Sequence, residues 1–226
     1  MKFYKSIFKH GALFICAVFF SIISYFYFDI PLVNLAHDLE IRECSFIFIK
    51  LTQIPEVIIT AMYCLVPITL LSILFKRSVI YTKWVWLILL ISLSLLVVLL
   101  VEDSLEYICG RYWPATWVDN NPSWLSNQVY GMNWFQGASK GMQAFPSGHT
   151  AVIFTVSTML WKFYPKYKYI YVLLCVLTMI GLMAMYYHWL SDIIFGAYIG
   201  YISSEVIYGV YMQIKARVMR KTDSKY

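Results

Sequence analysis

Six long apolar runs constrain the fold of this chain more than any other feature of its sequence. An α-helix needs about 20 apolar residues to cross the hydrocarbon core of a bilayer. Backbone groups have no water to bond in that core, and a helix satisfies them within the segment itself. The chain is therefore predicted to be an all-α, polytopic membrane protein with six transmembrane helices. They lie at roughly 10–28, 55–75, 84–101, 149–164, 169–187 and 191–212.

Composition supports a membrane protein and a single domain. Hydrophobic residues make up 61% of the chain and charged residues only 13%, whereas soluble domains average about 25% charged residues. No internal repeat or linker divides the sequence, so residues 1–226 are interpreted as one membrane-embedded domain. The first run ends in aromatic residues without a small-residue cleavage site, which favours an uncleaved span over a signal peptide.

The distribution of Lys and Arg predicts the orientation of these helices. If the N-terminus is inside, 14 of the 18 cations fall in inner segments, and the four outer ones are Arg42, Lys50, Arg111 and Lys140. Cytoplasmic loops of membrane proteins are enriched in such cations. We therefore expect a plasma-membrane (or bacterial inner-membrane) protein with both termini in the cytoplasm. The net charge of +6 is spread over short inner segments, as expected beside anionic lipid rather than nucleic acid.

A turn before the fourth apolar run has the residues of an anion-binding helix start. It reads Gln143-Ala144-Phe145-Pro146-Ser147-Gly148-His149-Thr150. Ser147 is suited to cap the helix, and the first turn of a helix offers unpaired N–H groups and a partial positive charge. His149 adds a titratable imidazole there. The turn is predicted to hold a phosphate and to give it a proton.

Two further groups suit the same chemistry. His188 and Asp192 are four residues apart, so they share one helix face, and an Asp that takes the Nδ1 proton leaves Nε2 as a nucleophile or base. Upstream, Arg111 offers a forked guanidinium that suits phosphate oxygens. The predicted topology places Arg111, His149 and His188 together on the outer side of the membrane.

These three blocks, in this order in a polytopic protein, resemble the type-2 phosphatidic acid phosphatase superfamily. Its signature is Lys-x6-Arg-Pro, then Pro-Ser-Gly-His, then Ser-Arg-x5-His-x3-Asp. The middle block matches in full at Pro146–His149, and the third keeps His188 and Asp192. The resemblance departs at the first-block Lys, which falls on Ser104, and at the third-block Ser-Arg, which falls on Gly181-Leu182.

The resemblance implies a membrane lipid phosphatase that forms a phosphohistidine and needs no metal or other cofactor. In that scheme His188 attacks phosphorus, Asp192 holds its tautomer and His149 protonates the leaving oxygen. Phosphate binding falls to Arg111 and to the N–H groups of Ser147 and Gly148. Lys140, the other outer cation near the site in sequence, is a candidate replacement for a missing family cation. The substrate is expected to be a lipid phosphate monoester or diphosphate among the membrane lipids.

Several alternatives stay open from the sequence. A non-catalytic lipid-phosphate binder or transporter is favoured by the missing cations and opposed by the retained His149, His188 and Asp192. A lipid phosphotransferase and a metal-dependent hydrolase that uses these three residues as ligands are the other two. The long outer loop, roughly 102–148, is predicted to be an interfacial lid, and Cys44 and Cys109 are candidates for a disulfide. The sequence defines neither the particular lipid nor an oligomeric state.

Overall fold

The protein is built from α-helices joined mostly by short connections. The computed structural model describes residues 2–43, 46–117, 120–137 and 140–223, and no strand longer than an isolated bridge occurs among them. The α-helices are α1 (Lys2–Tyr27), α2 (Asp29–Asp38), α3 (Phe46–Thr52), α4 (Ile54–Phe75), α5 (Lys83–Cys109), α6 (Trp124–Asn127), α7 (Gly148–Phe163), α8 (Lys168–Ala184) and α9 (Leu190–Asp223). This confirms the predicted all-α, polytopic membrane architecture.

Five stretches of the described chain are long and apolar enough to cross a membrane. They are Phe8–Tyr27, Phe46–Phe75, Lys83–Cys109, Pro165–Ala184 and Leu190–Arg220, and each contains most or all of one predicted span. The remaining predicted span corresponds to α7, which has only 16 residues and is therefore about 24 Å long. A sixth crossing, and the side of the membrane on which each loop lies, stay predictions.

Helix α7 lies at the centre of the bundle, where it packs most extensively against α9 and also against α5 and α8. Glycines on α9 allow the two backbones to approach closely, as small residues do between membrane helices. A methyl group at Gly196 would overlap the carbonyl oxygen of Ser147, and one at Gly200 would overlap that of Ala151. The start of α7 is therefore pressed directly against α9.

The connection from α5 to α7 is ordered over its described residues and covers one end of the bundle. It starts at Gly110, whose φ of +51° ends α5 in the left-handed region. Isolated bridges join Arg111 to Met132 and to Gln143. The loop thus brings Arg111 beside the turn that precedes α7. Its function as a lid stays a prediction.

Helix α5 continues past the predicted end of the third span at residue 101 and ends at Cys109. The extra two turns contain Glu102, Asp103 and Glu106, and the sequence interpretation left these residues in the loop. Their acidic side chains ended the apolar run without ending the helix, because Glu is a good helix former. This extension carries two carboxylates to the end of the bundle where α7 begins.

Candidate active site

The turn before α7 forms the cap that the sequence predicts. Ser147 lies in an extended conformation, and its side chain accepts a hydrogen bond from the N–H of Thr150. Its own N–H donates to the carbonyl oxygen of Asp192 at 3.1 Å, so in this structure it is not available to a phosphate. Next to this cap, the N–H groups of Gly148 and His149 have no acceptor within the helix.

His188 is held in the tautomer that the chemistry requires, but by a different partner from the predicted one. Its Nδ1–H donates to the carbonyl oxygen of Ala144 at 2.9 Å. Asp192 Oδ2 is 3.7 Å from that nitrogen and accepts instead from the N–H of Trp189 at 2.9 Å. A carbonyl oxygen can only accept, so Nδ1 keeps the proton and Nε2 is left with a free lone pair. This arrangement leaves Nε2 free to act as a nucleophile or a base.

His149 lies beside His188, as the sequence interpretation requires. Their ring centroids are 6.4 Å apart, and both residues line one cavity of about 330 Å³. His149 Nε2 is 3.4 Å from Oε1 of Glu56, a residue of α4 that the sequence interpretation did not connect with the site. Two imidazoles 39 positions apart in the sequence thus face the same space.

Arg111 lies outside this cavity, in a fully buried ion-pair cluster. One terminal nitrogen donates to Asp192 Oδ1 and to the Ser191 hydroxyl, and the other donates to Asp29 Oδ2 at 2.6 Å. Burial by itself lowers the pKa of Arg111, but Asp192 and Asp29 outweigh it and raise the pKa above its usual value. The guanidinium therefore stays charged and pairs with both carboxylates.

This cluster changes the interpretation of two predicted site residues. Arg111 is 0% exposed and does not line the cavity, so direct phosphate binding by its fork stays a prediction that this geometry does not favour. Asp192 pairs with Arg111, and its Oδ2 also lies 3.7 Å from Nδ1 of His188. The sequence interpretation missed Asp29, which sits at the end of the first apolar run and reaches Arg111 across 82 positions. The sequence contains one indication of this role, which is that Asp29 is an acidic residue directly at the end of an apolar run.

Carboxylates dominate the charged groups of the cavity. Glu56, Glu102 and Glu106 line it together with the two histidines, and none of the described lining residues is Lys or Arg. The carboxylate of Glu102 lies directly against Gly148, because a methyl group at that position would overlap it. Glu102 and Glu106 are close to Arg111 in sequence, but Arg111 is paired with Asp29 and Asp192. They face the predicted phosphate site instead.

The other predicted residues add no described cation to the cavity. The backbone of Lys140 forms a short 3₁₀ turn, Lys140–Met142, and its side chain lies outside the described part of the structure. Ser104 is exposed and its hydroxyl donates to the carbonyl oxygen of Leu100, while Leu182 is fully buried. Neither position lines the cavity. Cys44 lies outside the described residues, and Cys109 is a buried free thiol.

No group of three or more His, Cys, Asp or Glu side chains in the described part of the chain is arranged to hold a metal ion. In particular, His149, His188 and Asp192 do not converge on one point. Asp192 turns its oxygens to Arg111 and to the N–H of Trp189.

The chain belongs to the PAP2 superfamily, whose family model matches residues 83–215, more than half of its length. This confirms the family inferred from the three motifs. No curated protein sequence matches the chain. Among solved structures, the chain is similar to LpxE of Aquifex aeolicus, with a TM-score of 0.51 and 19% identity over 80% of this chain and 94% of that one. It is also matched to the first transmembrane PAP2-type phosphatidylglycerolphosphate phosphatase from Bacillus subtilis, with a TM-score of 0.43 and 19% identity over 85% and 96%.

Proposed function

We propose that this protein is a membrane lipid phosphatase that hydrolyses a lipid phosphate monoester or diphosphate through a phosphohistidine at His188. One observation carries the proposal: His149 and His188 face a single cavity, and the carbonyl of Ala144 fixes the proton of His188 on Nδ1. Membership of the PAP2 superfamily and the likeness in fold to LpxE support it.

In the first step, Nε2 of His188 forms a bond to phosphorus while the bond from phosphorus to the lipid oxygen breaks. His149 donates a proton to that oxygen, which leaves as the alcohol of a monoester or as the lipid monophosphate of a diphosphate. In the second step, a water molecule attacks phosphorus, His149 takes its proton, and the bond to Nε2 breaks to release phosphate. The N–H groups of Gly148 and His149 face the developing charge from the positive end of α7. No step needs an oxidant or a second substrate.

Arg111 supports this chemistry by position rather than by contact. It binds Asp192, whose Oδ2 accepts from the N–H of Trp189 and whose carbonyl accepts from the N–H of Ser147. The first of these bonds fixes the chain next to His188 and the second fixes the turn next to His149. Asp192 thereby positions both imidazoles, one through its carboxylate and the other through its backbone carbonyl. We infer that this positioning is what Asp192 and Arg111 supply to catalysis.

The decisive experiment is phosphate release by the purified protein from a panel of lipids. Suitable members are phosphatidate, phosphatidylglycerol phosphate, a prenyl diphosphate and a lipid A phosphate. His188→Ala should lose at least about a thousandfold in turnover, because the nucleophile is removed. His37→Ala, which removes an exposed histidine outside the cavity, is the matched control and should keep full activity. Acid-labile labelling of the protein by ³²P-lipid should require His188.

A non-catalytic lipid-phosphate binder is the second candidate, and it is favoured by Ser104 and Leu182, which stand where the family has a Lys and an Arg. Binding of the panel lipids without phosphate release would establish it. Transfer of the phosphate to a second lipid instead of water would indicate a phosphotransferase. Loss of activity in EDTA, restored by a divalent cation, would indicate the metal-dependent alternative.

The proposed orientation places the cavity on the extracytoplasmic side and both termini in the cytoplasm of a plasma-membrane or inner-membrane protein. A cysteine-reactive label at position 126, an exposed residue of the loop between α5 and α7, should then react from outside intact cells, and one at position 220 only after permeabilisation. The 14-to-4 split of Lys and Arg between the two sides supports this. The natural cysteines are first replaced by Ala, and this cysteine-free protein is the labelling control. Reaction of both positions from one side would contradict the orientation.

A further inference from the structure

The end of the bundle opposite the two histidines holds a second cavity, which the proposed catalysis does not use. It has a volume of about 430 Å³ and lies between α1, α7, α8 and α9. Lys162 is 13 positions after His149 on α7, and Glu205 is 13 positions after Asp192 on α9. At 1.5 Å per residue, the charged groups of this cavity lie about 20 Å along the helices from the imidazoles. The two cavities are therefore separate sites.

Two lysines and one carboxylate are the charged groups among the described residues that line this second cavity. Lys162 Nζ pairs with Oε1 of Glu205 at 2.5 Å. Lys9 Nζ donates to the hydroxyl of Tyr201 at 3.1 Å and lies 5.9 Å from the centroid of the same ring. A phenol is a neutral partner, so these lining residues leave one positive charge in excess. This excess favours an anionic ligand.

Much of the remaining wall is apolar and faces outward from the bundle. Phe154, Trp161, Val172 and Val176 line the cavity, and the last three are 44–46% exposed. The two valines belong to the stretch Pro165–Ala184, which is apolar enough to cross a membrane. Exposed side chains on such a helix meet lipid tails rather than water. A ligand that fills this cavity therefore needs an apolar chain as well as a negative charge.

The lysines lie near the ends of their apolar segments, where lipid headgroups are expected. Lys162 is in the last turn of α7, which ends at Phe163, and Lys9 is the second residue of the apolar stretch Phe8–Tyr27. Basic pockets between transmembrane helices suit the headgroups of anionic lipids. In the proposed orientation this end of the bundle lies at the cytoplasmic leaflet, where anionic lipids attract cations. A free phosphate ion would meet the same ammonium groups but would leave the apolar wall uncovered.

We propose that this cavity binds an anionic phospholipid, whose phosphate contacts Lys9 and Lys162 and whose acyl chain lies along Val172 and Val176. Glu205 shares Lys162 with the phosphate and limits the affinity, because like charges repel. The lipid contacts four helices at once, so it stabilises the folded bundle. It takes no part in the chemistry at His188, and the proposal is independent of the proposed function.

A matched pair of lipids tests the charge preference. Dioleoyl phosphatidylglycerol and dioleoyl phosphatidylcholine have the same acyl chains, but only the first has a net negative charge. Native mass spectrometry of the full chain in detergent measures the affinity of each. We expect phosphatidylglycerol to bind about tenfold more tightly, because each lysine contributes about fivefold and Glu205 offsets part of this. Equal affinities would overturn the proposal. Displacement of phosphatidylglycerol by millimolar inorganic phosphate, at constant ionic strength, would indicate a free-anion site and would also overturn it.

Variants assign the preference to residues, and the ratio of the two affinities is the readout because a general loss of folding does not change it. Lys9→Gln should lower the ratio about fivefold. Lys166→Gln, which removes an exposed lysine outside the cavity, is the matched control and should leave the ratio unchanged. Glu205→Gln should raise the ratio, because it removes a repulsion and frees Lys162. A ratio that is unchanged in Lys9→Gln, or lowered in Glu205→Gln, would overturn the proposal.

Two further measurements separate this site from the catalytic cavity and test its effect on stability. His188→Ala should keep the wild-type ratio of affinities, and loss of the preference in this variant would place the lipid in the catalytic cavity and overturn the proposal. In thermal unfolding, phosphatidylglycerol should raise the Tm of the wild-type protein more than phosphatidylcholine does, because a ligand of the folded state stabilises it. This difference should shrink in Lys9→Gln, and equal shifts in the wild-type protein would contradict the stabilising role.

Discussion

Two groups of charged side chains lie on either side of the turn that starts α7, and they are arranged in opposite ways. Around Arg111, one guanidinium meets two carboxylates, and all three side chains are fully buried. Around His149 and His188, three carboxylates and two imidazoles line an open cavity with no described cation among them. In the buried group each charged side chain has a partner of opposite sign, whereas the acidic side chains of the cavity meet no described Lys or Arg.

The difference assigns separate tasks to the two groups. A buried charge without a partner costs several kcal/mol, so the complete Arg111 cluster contributes to the stability of the fold. Side chains on a cavity keep part of their hydration and can leave charges unmatched until a ligand arrives. We therefore expect variants of the buried cluster to act mainly on stability and on the position of the imidazoles, and variants of the cavity to act on substrate binding and turnover.

The largest expected effect is that of Arg111→Ala. It leaves Asp29 and Asp192 buried without a counter-charge, which should lower the free energy of unfolding by about 3–5 kcal/mol. Thermal unfolding in detergent measures this, and turnover should fall with it. Glu106→Gln is the matched cavity variant and should keep the wild-type Tm. An Arg111→Ala protein with wild-type Tm and a raised KM would show that Arg111 binds phosphate directly.

Asp192→Asn should have a smaller effect than His188→Ala on turnover. The carbonyl of Ala144, and not Asp192, holds the Nδ1 proton of His188, so the nucleophile keeps its tautomer in the variant. We expect a loss of about 10- to 100-fold in kcat as the imidazoles lose their common support. A companion measurement on Ser191→Ala, which removes a hydroxyl bonded to Arg111, should show a weaker loss. A loss equal to that of His188→Ala would mean that Asp192 contacts His188 during the reaction.

The smallest effects come from adding a methyl group at two glycines. At Gly196 the methyl meets the backbone of Ser147, which cannot move away, so we expect Gly196→Ala to lower stability by about 1–3 kcal/mol. At Gly148 it meets the flexible end of Glu102. Gly148→Ala should therefore change stability by less than about 1 kcal/mol and alter the KM for substrate. Equal changes in Tm for the two variants would show that Glu102 is held as rigidly as backbone.

The amino-acid sequence by itself determined the helices and the local parts of the site. The apolar runs have the length of bilayer-spanning helices, and five of the six predicted spans correspond to such helices. The Ser147 side chain caps α7 by accepting from the N–H of Thr150. The two residues are only three positions apart, so this contact is local in sequence. The three motif blocks were sufficient to identify the superfamily. Each of these depends on residues that are close in sequence or on simple periodicity.

Only the tertiary structure decided which groups meet across the bundle. Asp29 reaches Arg111 over 82 positions and Glu56 reaches His149 over 93, and no local pattern specifies such distances. The same holds for the Ala144 carbonyl, which takes the role expected of Asp192, and for the glutamates that α5 carries to the cavity. These contacts depend on how closely α7 and α9 approach and on where the loop between α5 and α7 crosses them. Packing sets both quantities, and it involves every helix at once.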